Sequence, residues 1–104
     1  NFRAMSAIAR QNGIKVLLAS IPPAASFPWR PAVETRHAIA ALNAWLRTFA
    51  RETGAVWIDY GTVLDDGTGA MKPGLASDGV HPTEAGYDAM ATIAEPILAR
   101  VLRG

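Results

Sequence analysis

An aspartate stands three residues before a histidine in the run Ser77-Asp78-Gly79-Val80-His81-Pro82-Thr83-Glu84-Ala85-Gly86-Tyr87. A carboxylate beside an imidazole keeps one ring nitrogen protonated and frees the other to take a proton from a nucleophile, which is the base-and-orienter half of acyl transfer. The glycine-containing loop can bend Asp78 back toward Nδ1 of His81, and Pro82 fixes the start of the helix that follows. A plainer reading competes on the residues alone: Asp78 satisfies the amides of its own turn, and His81 is an ordinary loop residue at a helix N-terminus. A metal site fits less well. Zinc or calcium needs further ligands, and the chain has no Cys and one other histidine, His37, inside a separate helical pattern.

The elements that must position this pair follow from periodicity. Phe2, Met5 and Ile8 recur at helical spacing up to Asn12-Gly13, so the chain opens in a helix without an N-terminal cap. Residues 15 to 21 read as a nearly continuous apolar strand. Ala38, Leu42, Trp45, Leu46 and Phe49 mark a second helix from Glu34 or Thr35 to Gly54, and residues 55 to 60 a second strand. The last helix runs from about Pro82 to Arg103 with Met90, Ile93, Ile97 and Val101 on one stripe, and Pro96 is expected to kink it. This is an α/β pattern with parallel strands joined by a right-handed crossover. Two strands are too few, because an apolar strand such as Val16 to Ile21 is normally paired on both edges; neighbouring strands are expected from sequence beyond these residues or from another copy of the chain.

The loops leaving the strand ends, 22 to 33 and 61 to 81, should face one crevice, the ligand side of an open α/β sheet. That places Asp78, Val80 and His81 beside Pro22-Pro23-Ala24-Ala25-Ser26-Phe27-Pro28-Trp29-Arg30-Pro31. Proline stiffens this loop, Phe27 and Trp29 offer apolar surface to an acyl chain or aryl group, and Arg30 offers a positive charge. Alternatively the aromatics only pin the loop to the domain. Asp65-Asp66-Gly67-Thr68-Gly69 lacks the alternating ligands and terminal Glu of a cation loop and reads as turn chemistry. Ser77 adjoins the pair but lacks the strained elbow of a nucleophile and lies too close to Asp78 in sequence to reach His81 readily. Ser6, Ser20 and Ser26 carry no catalytic signature, and His37 reads as a solvent-facing helix residue.

Asp-Gly-Val-His-Pro-Thr-x-x-Gly-Tyr before a C-terminal amphipathic helix resembles the last sequence block of the SGNH hydrolases, also called GDSL-type esterases and lipases. The segments Val16-Leu17-Leu18-Ala19-Ser20-Ile21-Pro22-Pro23 and Gly54-Ala55-Val56-Trp57-Ile58-Asp59-Tyr60 resemble that family's second half. The resemblance implies a three-layer α/β/α, flavodoxin-like fold with a parallel sheet, of which residues 1–104 form the C-terminal part of a single domain. It implies that Asp78 and His81 complete a Ser-His-Asp triad; the neighbouring Phe27, Trp29 and Val80 are the expected substrate contacts, and no cofactor or metal is expected. The family's nucleophile lies in a Gly-Asp-Ser block, and its oxyanion hole uses that serine's amide, a Gly, and an Asn of a Gly-x-Asn-Asp block, none of which occurs here. Asn1 is followed by Phe2-Arg3-Ala4, which looks like the helix after that block.

The function so implied is hydrolysis of small carboxylic esters bearing acetyl or short acyl groups, with the N-terminal half of the domain, or another copy of the chain, as structural partner. Two alternatives stand beside it: a non-catalytic α/β fragment stabilised by oligomerisation, and acyl transfer to an alcohol by the same triad. Composition separates other classes. Ten basic and nine acidic residues give a net charge of +1 with no basic stripe, so no nucleic-acid partner is expected. No apolar run approaches a membrane span. The absence of cysteine excludes disulfides and a thiol nucleophile and fits either side of a membrane.

Overall fold

A computed structural model describes residues Asn1–Gly104 as a partial α/β domain. The order is α1 (Phe2–Gln11), β1 (Leu17–Ala19), α2 (Arg36–Thr53), β2 (Val56–Ile58), α3 (Gly61–Leu64) and α4 (Glu84–Arg103). The strands pair in parallel with Leu17 opposite Val56, Leu18 opposite Trp57 and Ala19 opposite Ile58. Both are shorter than the apolar runs predict, because a ladder needs a partner as well as propensity. Single bonds extend it at either end, from the Val56 amide to the Val16 carbonyl and from the Ser20 amide to the Ile58 carbonyl.

The expectation of an uncapped opening helix is corrected: the Asn1 side chain accepts the Ala4 amide at 3.1 Å and caps α1. Its apolar stripe is not in the core. Phe2, Met5 and Ile8 are 37%, 56% and 61% exposed. Beside them β1 pairs only with β2, leaving its other edge open.

The core is built by α2, which packs Leu46, Phe49 and Ala50 together with Ile58 of β2, Leu64 of α3, Met71 and Ala24. Burial of side chains such as Leu46 and Leu64 contributes about 1.5–3 kcal/mol each. At the start of α2 the cap is Glu34, whose carboxylate accepts the amides of His37 and Ala38; the same bonds hold its pKa below the usual carboxylate range. Gly54 ends the helix in the left-handed region at φ 76°. The single turn α3 is absent from the periodic pattern because four residues carry no period.

Helix α4 starts two residues later than Pro82. Thr83 is its N-cap, and its hydroxyl accepts the Gly86 amide at 3.2 Å. The helix is continuous through Pro96, with Met90, Ile93, Ile97 and Val101 half-buried along the predicted stripe.

Candidate active site

The Asp78–His81 loop is stitched down before it carries any chemistry. Ala76 and Pro82 form an isolated antiparallel bridge across its base, and the Ser77 amide donates to the His81 carbonyl. Thr83 ties α4 to the preceding segment twice, its amide donating to the Leu75 carbonyl and its hydroxyl to the Gly74 carbonyl at 2.7 Å. Gly86 permits this approach, since a Cβ there would lie 2.2 Å from the Leu75 carbonyl oxygen. At the tip Gly79 turns the chain with φ 83°, a conformation that costs other residues roughly 1–2 kcal/mol.

On this frame Asp78 performs both of the tasks that the sequence leaves open. Its Oδ1 accepts the amides of Val80 at 2.9 Å and His81 at 2.7 Å, while its Oδ2 lies 2.6 Å from Nδ1 of His81. The His81 backbone amide is the strongest cause holding this carboxyl far below the usual carboxylate range, followed by the His81 ring and the Val80 amide. An ionised carboxylate only accepts, so Nδ1 must carry the proton. In the neutral ring the lone pair is then on Nε2, which makes no hydrogen bond within the chain. The His81 side chain is 69% exposed and that of Asp78 37%.

Of the remaining predicted residues, the structure brings Trp29 to the pair. Its ring centroid lies 5.7 Å from that of His81 at an interplanar angle of 42°. Phe27 stacks behind Trp29 at 5.4 Å and 5°. The loops after the two strands therefore meet, as predicted. Val80 contributes its backbone amide to Asp78. Arg30 is exposed and forms no ion pair, and Ser77 makes no side-chain bond to His81.

Asp65 and Asp66 cap the amides of Gly67, Gly69 and Thr68, in keeping with turn chemistry. His37 is almost fully exposed beside Glu34.

No hollow in the surface is lined by Asp78 or His81. One of about 390 Å³, between Ser6, Lys15, Gly54 and Val101, opens at the N-terminal ends of the strands, away from the pair. Residues missed by the sequence reading are structural: Thr83, legible as a helix N-cap, Gly86, which admits the Leu75 backbone, and Asn43. The Asn43 amide clamps the amide and carbonyl of Ile21 at 2.7 and 3.0 Å, and no local signal marks it.

A parallel α/β unit presenting an aspartate–histidine pair beyond its strand ends defines a class of hydrolase-like domains. Residues 1–89 match the model of the GDSL-like lipase/acylhydrolase family, and the chain belongs to that family. Among solved structures it is similar to a GDSL-like lipase from Bacteroides thetaiotaomicron, with 32% identity and a TM-score of 0.88 over 96% of this chain and 50% of the other. It is similar to a candidate acylhydrolase from Bacteroides fragilis, at 34% identity and TM-score 0.89 over 97% and 50%. A candidate lipolytic protein of the G-D-S-L family from Desulfitobacterium hafniense matches at 26% identity and TM-score 0.76, over 92% and 51%. The chain thus spans about half the length of these structures. No protein of curated function matches it.

Proposed function

We propose that these residues are the C-terminal part of an esterase domain that hydrolyses small carboxylic esters, with His81 as general base and Asp78 as its orienting carboxylate. The observation that carries this is the 2.6 Å contact between Asp78 Oδ2 and His81 Nδ1, which leaves Nε2 outward with a free lone pair. A serine of a Gly-Asp-Ser block outside these 104 residues is the nucleophile. Its hydroxyl proton passes to Nε2 as Oγ attacks the acyl carbonyl, and the imidazolium returns that proton to the departing alkoxide. Water repeats the cycle on the acyl-enzyme, releasing the acid. Asp78 stabilises the imidazolium throughout without taking its proton.

The rest of the domain is the partner that lies against β1. Support comes from the open edge of β1, the exposed Phe2, Met5 and Ile8 beside it, and the half-length match to the solved relatives. The same addition supplies the oxyanion donors and walls the pocket that the surface around His81 lacks.

The test is a serine-directed fluorophosphonate applied to the protein carrying its Gly-Asp-Ser segment. Covalent labelling of that serine, lost in His81→Ala, is expected. Undiminished labelling and ester turnover in His81→Ala refutes the assignment.

A further inference from the structure

We infer that Trp29 is a positioning residue for His81, an assignment whose catalytic consequence rests on His81 being the base. The imidazole is 69% exposed at its side chain and is tethered through a single ring hydrogen bond, to Asp78. One tether fixes the position of Nδ1 and leaves the ring free to tilt about that bond, which swings Nε2. Trp29 supplies the second point of support, its ring meeting the imidazole at 5.7 Å between centroids.

The support is itself braced. Phe27 is half-buried and stacks on Trp29 almost parallel. Between and beyond them Pro28 and Pro31 restrict the backbone, and the turn is closed by the Arg30 amide on the Phe27 carbonyl and the Val33 amide on the Arg30 carbonyl. The loop is anchored at its start by the Asn43 clamp on Ile21 and at its end by the Glu34 cap of α2. It is a strut from the core to the imidazole. The alternative role, a wall for a pocket that the rest of the domain completes, would act on KM and leave the mobility of the imidazole unchanged; within these residues neither Phe27 nor Trp29 lines a hollow. What Trp29 touches is His81.

The experiment compares Trp29→Leu, Trp29→Phe and Phe27→Leu in the full-length protein. Ring mobility of His81 is read from carbon relaxation in NMR, and kcat and KM are measured with methyl acetate and phenyl acetate. Trp29→Leu is expected to loosen the His81 ring and to lower kcat about two- to tenfold, the size of an aromatic contact, equally for both esters and with KM unchanged. Trp29→Phe restores most of both, and Phe27→Leu shows a smaller loss in the same direction. A His81 ring as rigid in Trp29→Leu as in the parent overturns the assignment, as does a loss confined to KM and to phenyl acetate. The ring measurement is independent of turnover. If His81→Ala leaves turnover intact, the functional reading fails while the contact is judged on the relaxation data alone.

Discussion

Asp78 is held by the residue it orients: the backbone amide of His81 donates to Oδ1 at 2.7 Å while the His81 ring meets Oδ2 at 2.6 Å. Both bonds close within one short loop, so the geometry of the pair and the fold of the loop are one object.

Asp78→Asn keeps an oxygen for the backbone amides but turns an N–H toward Nδ1, which must then accept and lose its proton to Nε2. We expect an unfolding midpoint close to the parent's and a kcat lowered by about 10⁴. Asp78→Ala should lower both. A kcat within tenfold of the parent in Asp78→Asn would remove Asp78 from the mechanism.

The lowered pKa of Asp78 sets its pH window. A carboxylate whose folded pKa is depressed stabilises the native state above its unfolded value, about 3.9, and loses that contribution only as pH falls through the folded value. Its carboxyl carbon shift should stay flat from neutrality down to about pH 4. Any acid limb of the rate profile above that pH then belongs to another group. A titration of this carbon between pH 4 and 7 contradicts the geometry.

Gly86→Ala drives a methyl into the Leu75 carbonyl, where backbone must move. The expected cost is about 1–3 kcal/mol in denaturant unfolding. Turnover should fall as well, because Leu75 and Thr83 anchor the loop that carries the pair. Unchanged stability would mean that α4 can shift away without loss.

Asn43→Ala strands the amide and carbonyl of Ile21, both half-buried with the residue, at a cost of about 1–3 kcal/mol. Amide exchange should quicken in residues 22 to 33, and His81 should loosen with Trp29. Faster exchange confined to α2 would show that the clamp does not control this loop.

How much was legible depended on how far apart the interacting residues lie. The α/β order, both long helices and the half-buried stripe of α4 follow from periodicity that each segment carries alone. Strand lengths were overestimated because apolar character is local while a ladder depends on its partner. The Asn1 cap was missed although Asn is a good capping residue, since a cap is recognised only where the helix start is known. Pro82, favoured at a first helical position, instead stands before Thr83, the N-cap whose hydroxyl accepts the Gly86 amide.

By itself the sequence put Asp78 within reach of His81, because a contact between residues three apart depends on the few dihedral angles of Gly79 and its neighbours, while the folded loop decided that Asp78 serves the ring and the turn amides at once. Only the tertiary structure decided that Trp29 meets His81, that Gly86 lies under Leu75, and that Asn43 holds Ile21. Those contacts join segments whose separation is set by how α2 and α4 pack around the sheet, and no local pattern encodes that distance.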